Sequence, residues 1–118
     1  MQYLLLIYSN EAEMAGRSPA AIAAMTAEYM EFTKGIVQGG QFKGADRLRP
    51  TSSASTVRVR NGQVVTTDGP FAETREQLGG YYLIEAKNLD EAIAIAARIP
   101  GAKIGSIEVR PVWPPETY

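Results

Sequence analysis

Residues 80–100, GYYLIEAKNLDEAIAIAARIP, contain a strand and a helix in direct succession, and this pair decides the fold class. Gly80–Ala86 is a short run rich in apolar and aromatic residues, which predicts a strand. Asn88 follows as a helix N-cap, with Glu91 three residues on as its capping-box partner. Pro100–Gly101 ends the helix. Spacings of three and four predict its buried face to consist of Leu89, Ala92, Ile93, Ala96 and Ile99.

A similar strand and helix open the chain. Gln2–Tyr8 is almost continuously apolar, which predicts a strand covered on both faces near the middle of a sheet. Residues 9–18 are polar and predict a loop. Ser18–Pro19 then provides an N-cap and a first-turn proline for a helix that ends at Gly39–Gly40. Its predicted apolar stripe comprises Ile22, Met25, Tyr29, Phe32 and Ile36.

Between these two units the sequence predicts three further strands. Gln41–Arg49 is a weak strand that Pro50 closes. Thr56–Arg60 and Gln63–Thr67 flank the dipeptide Asn-Gly, which is the strongest short hairpin signal and sets Val59 opposite Val64. After residues 68–79, the strand and helix described above are followed by the last strand, Ile104–Val112.

The resulting order, β-α-β-ββ-β-α-β, predicts a single domain over residues 1–118 with an α+β fold. Because each helix has one apolar side, both should pack on one face of an antiparallel sheet, as a ferredoxin-like sandwich with an added hairpin. The other face also carries substantial apolar area. Since such a face is unfavourable in water, we expect it to be covered by a second copy of the chain, giving a homodimer.

Composition excludes several classes of function. The chain has no cysteine and no histidine, so thiolate chemistry, disulfides and histidine-based acid–base or metal sites are ruled out. A net charge of −1 argues against nucleic acid or an anionic membrane as a partner. The N-terminus resembles neither a signal peptide nor a membrane span, which predicts a cytoplasmic protein. No motif for a nucleotide cofactor or a metal is present, so we expect neither.

The residues from 68 to 82 also carry a longer pattern. Asp-Gly-Pro-Phe-Ala-Glu-Thr at 68–74, followed by Glu76 and by Gly-Gly-Tyr-Tyr at 79–82, resembles the DGPF branch of the YCII-related family. The opening strand, Asp-Glu-Ala at 90–92 and Glu-Val-Arg-Pro-Val at 108–112 fit the same pattern, so the resemblance spans the chain. It departs at Arg75, where many relatives have lysine.

The resemblance implies a dimeric α+β barrel of ferredoxin-like subunits, with a small-molecule cleft at each sheet. It implies an enzymatic role without an established reaction, and a regulatory association, because some relatives lie beside extracytoplasmic-function sigma factors. The YCII-type branch uses a histidine–aspartate pair. Since this chain has no histidine, only the aspartate half, Asp68, would remain.

Four candidate residues lie in the DGPF loop, residues 68–76. Asp68 is the candidate catalytic base or substrate anchor, and the alternative is an Asx turn that only shapes the loop. Phe71 would line a pocket or, as the alternative, anchor the loop to the core. Glu73 and Glu76 would share one side of a helical turn, where they could divide acid and base roles or bind a hard cation. The alternative is that both are solvated beside Arg75.

The other candidates lie on strands. Glu108 and Arg110 alternate onto one strand face, where Arg110 could pair with Glu108, with Asp68 or with an acidic ligand. Tyr81 is a further binding candidate, with packing as its alternative role. These residues support three hypotheses: a homodimeric small-molecule-binding protein, which we favour, an enzyme with Asp68 as base, and a non-catalytic regulatory or interaction module.

Overall fold

The computed structural model describes residues 1–117. Within that range the helices and strands are β1 (Gln2–Ser9), α1 (Glu11–Ala15), α2 (Pro19–Gln38), β2 (Phe42–Arg47), β3 (Ser55–Arg60), β4 (Gln63–Asp68), β5 (Gln77–Glu85), α3 (Leu89–Ala97) and β6 (Ser106–Pro111). Short 3-10 turns occupy Thr51–Ser53, Pro100–Lys103 and Pro115–Thr117. No helix of this range combines the length and apolar character that a membrane span requires.

The main sheet has four strands in the order β2-β5-β1-β6, and each neighbouring pair is antiparallel. The first strand of the chain therefore lies between β5 and β6, as a ferredoxin-like arrangement requires. The predicted α+β class is confirmed. The hairpin of β3 and β4 forms a separate two-stranded sheet.

The predicted helix starts are confirmed by their caps. The hydroxyl oxygen of Ser18 accepts from the Ala21 amide at 3.1 Å, and Asn88 Oδ1 accepts from the Glu91 amide at 2.9 Å. The prediction of a loop over residues 9–18 was wrong, because α1 lies within it. Asn10 Oδ1 accepts from the Glu13 amide at 3.0 Å, and this N-cap stabilises the short helix.

The hydrophobic core lies between the helices and one face of the main sheet. Its largest fully buried side chains are Leu5, Ile36, Ile84 and Ile99. On α3 the buried face consists of Ala92, Ile95 and Ala96, continuing to Ile99.

The predicted burial of Leu89 and Ile93 was wrong, since each is about half exposed. The centre of the buried side of α3 is defined by Ala92, Ile95, Ala96 and Ile99. At 100° per residue, Leu89 and Ile93 lie about 70° and 110° around the helix from that centre. On α2, Phe32 and Ile36 are buried as predicted, whereas Ile22 is exposed, so the N-terminal part of this helix contributes little to the core.

The hairpin has the predicted register, with Val59 opposite Val64 and Arg58 opposite Val65. Asn61 and Gly62 have φ angles of 52° and 76°, as the two central positions of a type I′ turn require.

The subunit is a thin slab of 48 × 46 × 19 Å. A thickness of 19 Å accommodates a sheet and one layer of helices, since packed layers are about 10 Å apart. Trp113, just after β6, is 68% exposed.

Candidate functional site

The face of the main sheet that points away from the helices is called the open face here. Its apolar floor consists of Leu4 and Leu6 of β1 and Leu83 of β5, all partly exposed. The strand register places Leu4 beside Leu83 and Leu6 beside Tyr81. Because alternate residues of a strand point to opposite sides, the neighbours Leu5, Tyr82 and Ile84 enter the core instead.

A polar cluster lies at the β6 side of this floor. Tyr8 Oη donates to Glu108 Oε1 at 3.3 Å, and Arg110 Nε donates to Glu108 Oε2 at 3.1 Å. A second guanidinium N–H of Arg110 also reaches that carboxylate. The sequence prediction that Glu108 and Arg110 share a strand face is therefore confirmed. Of the partners that the sequence left open for Arg110, the structure shows Glu108.

These contacts set the charge states of the cluster. The hydrogen bond from Arg110 lowers the pKa of Glu108 below its ordinary value and outweighs the opposing effect of burial. Burial raises the pKa of Tyr8, and the neighbouring Glu108 carboxylate raises it further. At neutral pH the cluster consequently contains a carboxylate, a guanidinium and a neutral phenol.

A second pair lies at the β2 side of the floor. Tyr81 Oη donates to Asp46 Oδ2 at 2.6 Å, and the two residues face each other across β5 and β2. This hydrogen bond is the main reason why the pKa of Tyr81 is raised. The open face thus carries two tyrosine–carboxylate pairs, one on each side of the leucine floor.

The sequence analysis missed Tyr8 and Asp46 as members of this arrangement. Tyr8 is the last apolar residue of a run that was interpreted as covered on both faces. Asp46 belongs to a weakly patterned strand, Phe42–Arg47, whose alternation alone did not show which side is buried. The alternation of side chains along the strands could have identified Tyr8. Leu4, Leu6 and Tyr8 lie on one side of β1, as Tyr81 and Leu83 do in β5.

Asp68 lies outside the open face, as the last residue of β4, paired with Ser55 and exposed to solvent. The predicted Asx turn is absent, because within residues 1–117 no hydrogen bond involves the Asp68 side chain. The turn is instead stabilised by the Gly69 amide, which donates to the Ala54 carbonyl at 2.7 Å, and by Thr56 Oγ1, which donates to the Gly69 carbonyl at 2.9 Å.

The rest of the DGPF loop also differs from the prediction. Phe71 is 80% exposed, so the proposed anchoring of the loop to the core was wrong. Glu73 and Glu76 do not share a helical turn, because residues 69–76 form no helix. Glu73 is exposed, whereas Glu76 Oε1 accepts from Ser106 Oγ at 2.8 Å. This bond fixes the end of the loop to β6, two residues before Glu108.

The structure therefore brings Tyr81, Glu108 and Arg110 onto one face and leaves Asp68, Phe71 and Glu73 on the hairpin and its loop. Two open concavities lie elsewhere. One, of about 360 Å³, is lined by Phe32, Arg98 and Pro100 among others, and one, of about 220 Å³, by residues 47–50. Among residues 1–117, no three acidic side chains converge as a metal ion would require.

Two comparisons with known proteins bear on the family of this chain. Residues 1–116 match the model of the YCII-related domain. The chain belongs to the YCII-related family. It is also 37% identical over 114 residues to an uncharacterized protein of Rhizobium meliloti (strain 1021), an alignment that covers 95% of this chain and 92% of that protein. Assignment to the DGPF branch of the YCII-related family rests on the motif at residues 68–74 and stays a prediction.

Proposed function

We propose that this YCII-related protein is a cytoplasmic homodimer that binds a small molecule on the open face of its main sheet. The observation that carries the proposal is the arrangement of two tyrosine–carboxylate pairs, Tyr8–Glu108 and Tyr81–Asp46, on either side of a leucine floor. A second copy packed over this face would convert a flat surface into an enclosed cleft.

The exposed area of the chain supports a dimer. The single subunit exposes 8260 Å², whereas the size scaling of monomeric proteins gives roughly 6300 Å² for 12.8 kDa. A specific interface typically removes about 800 Å² from each partner. The excess of roughly 2000 Å² is therefore more than enough for a stable homodimer.

The chemistry of the open face favours a flat ligand with an apolar body and an acidic group. Leucine and tyrosine side chains offer apolar contact area, and the guanidinium of Arg110 is a fixed cation at its edge. Glu108 neutralises part of that cation but engages only some of its five N–H donors. The remaining donors can accept a carboxylate, sulfonate or phosphate group in a charge-assisted bond.

The same cluster favours binding over proton-transfer catalysis. A general base works best with a pKa near the operating pH. The pKa of Glu108 is lowered, and the pKa values of Tyr8 and Tyr81 are raised above that of a free phenol. At neutral pH these groups therefore hold their charges and protons, which suits recognition of a ligand.

Titration with the fluorescent aromatic sulfonate 8-anilinonaphthalene-1-sulfonate tests this proposal. We expect saturable binding at one site per subunit, and a loss of affinity of about tenfold in Arg110→Met, since a charge-assisted hydrogen bond contributes about 1.5–3 kcal/mol. Lys103→Met is the matched control, because Lys103 pairs with Glu28 away from the open face. Equal affinities of the two variants would contradict the proposed site.

The alternative function is a non-catalytic regulatory or interaction module, in line with the sigma-factor association that the resemblance implies. One observation favours it: Leu89 and Ile93 form an exposed apolar pair on α3. This pair lies in the helix layer, which a dimer formed through the open faces leaves accessible. If this function holds, Ile93→Glu should abolish partner binding in a pull-down while leaving sulfonate binding and the sedimentation coefficient unchanged.

A further inference from the structure

We infer that the β3–β4 hairpin is a docking arm whose valine face packs on a second copy of the chain and brings Asp68 into the interface. The inference rests on the proposed homodimer and adds to it a second contact surface, outside the open face. It also gives the DGPF loop, which follows directly on β4, a position beside the other subunit.

The hairpin is amphipathic. Val57, Val59 and Val64 share one face, as the register pairs Val59 with Val64 and Val57 with Thr66, and they are 61%, 60% and 69% exposed. Asp68 lies on the same face, opposite Ser55. The other face carries mostly polar and charged side chains, namely Thr56, Arg58, Arg60, Gln63 and Thr67, with Val65 as its one valine.

The valine face of this hairpin is exposed in the subunit. The hairpin pairs with no strand of the main sheet within residues 1–117. The slab is only 19 Å thick, so the hairpin does not form a third layer over the sheet or the helices. An isolated two-stranded hairpin is at best marginally stable in water. An apolar surface from outside the subunit would therefore stabilise the β3–β4 ladder, because it would remove three valines from solvent.

The exposed area identifies a second copy as that surface. The open face is only about 20 Å by 20 Å, since four strands are about 4.8 Å apart and six residues span about 20 Å. A patch of this size accounts for a minority of the roughly 2000 Å² by which the chain exceeds a monomer of its mass. The hairpin, which is amphipathic and forms a sheet of its own, accounts for much of the remainder.

The dimensions of the hairpin permit this contact. Strands of six residues extend about 20 Å, whereas two sheets packed face to face are about 10 Å apart. The arm is therefore long enough to pass from one subunit onto the other. A two-fold axis would then generate two equivalent arms, and each would place Asp68 of one copy against the other copy.

Valine-to-threonine substitutions test the inference without disrupting the hairpin, because threonine keeps the β-branched shape and the preference for strands. We expect Val59→Thr to raise the dimer dissociation constant about tenfold. The triple variant Val57→Thr/Val59→Thr/Val64→Thr should raise it at least about a hundredfold. Sedimentation equilibrium measures both constants. Val65→Thr on the opposite face is the matched control and should leave the constant within about twofold. Circular dichroism verifies that each variant is folded.

Leu6→Glu on the open face is measured in parallel, so that two failures can be distinguished. If the hairpin variants dimerise as the wild type does while Leu6→Glu dissociates, the arm inference is wrong and the open-face dimer stands. If the hairpin variants dissociate and Leu6→Glu remains dimeric, the arm stands and the proposed open-face dimer is wrong. Wild-type protein that is monomeric at 100 µM overturns both.

Hydrogen exchange provides a second measurement. If the arm docks on a second copy, backbone amides of residues 55–68 should exchange more slowly at high protein concentration than at concentrations where the dimer dissociates. Amides of β1, which pair within the subunit, should change much less. Exchange of residues 55–68 that is independent of protein concentration would contradict the inference.

Discussion

Gly79 and Gly80 are neighbours in β5 with very different surroundings. A methyl group on Gly80 would lie 2.8 Å from the Asp46 carbonyl oxygen of β2, whereas one on Gly79 would meet only the Ile7 carbonyl oxygen at 3.9 Å. The absence of a side chain at position 80 therefore permits β2 and β5 to approach each other closely. This approach also positions Asp46 for its hydrogen bond with Tyr81.

We accordingly expect Gly80→Ala to lower the free energy of unfolding by about 1–3 kcal/mol, since the backbone must shift to remove the clash. Gly79→Ala should change it by less than about 1 kcal/mol, because alanine replaces glycine in a strand without a clash. Urea denaturation of both variants at one protein concentration measures the difference. Equal destabilisation would show that β2 can move aside freely.

The lowered pKa of Glu108 predicts that the free energy of unfolding depends on pH in the acidic range. Its pKa is lowered in the folded protein from an ordinary value of 4.5, mainly by Arg110, so the folded state releases its proton more readily than the unfolded state. The stabilising contribution is present above pH 4.5 and is lost as the pH falls through the lowered folded-state pKa. Urea denaturation from pH 7 to pH 3 should therefore show a shallower loss of stability in Glu108→Gln than in the wild type. Parallel curves would contradict this assignment.

At the scale of elements, α3 contains one buried and one exposed isoleucine. Ile95 is 3% exposed and Ile93 is 48% exposed. Ile95→Ala should destabilise the protein by about 2–5 kcal/mol through the cavity that it leaves in the core. Ile93→Ala should be neutral or slightly stabilising in the subunit, because alanine is the better helix former. Thermal denaturation of the two variants measures the contrast, and similar melting temperatures would contradict the observed orientation of α3.

The starts and ends of these elements could be predicted because their signals are local. Ser18 and Asn88 cap the helices, Asn61 and Gly62 form the turn, and each depends on residues at most three positions away. The orientation of α3 could not be predicted, because Leu89–Ala97 is apolar on most sides. Only contact with the sheet determines that Ile95, and not Ile93, is buried.

The parts of the candidate site that depend on strand alternation could be predicted from the sequence. The parts that depend on tertiary contacts could not. Alternation alone put Glu108 and Arg110 on one face. The partnership of Tyr81 with Asp46 depends on the register of β2 against β5, which spans 35 residues of chain. The exposure of Phe71 followed from no local signal, because the same DGPF residues fit a docked loop equally well.

At the scale of the whole molecule, the proposed dimer predicts that stability depends on concentration. When folding is coupled to association, the melting temperature rises with protein concentration by mass action. A hundredfold increase in concentration should therefore raise the melting temperature of the wild type by several degrees. Leu6→Glu should abolish this dependence, and Met30→Glu, on the exposed side of α2, should preserve it. A wild-type melting temperature that does not vary with concentration would contradict the dimer.

The position of Trp113 has a consequence for spectroscopy. It is the single tryptophan of the chain, and in the lone subunit most of its indole already contacts water. Its emission maximum will therefore shift little when an isolated subunit loses its tertiary structure, so a conventional fluorescence melt would underestimate unfolding. If the indole is covered on assembly, the same emission moves to shorter wavelength, and a simple dilution series in a cuvette becomes a label-free measure of association.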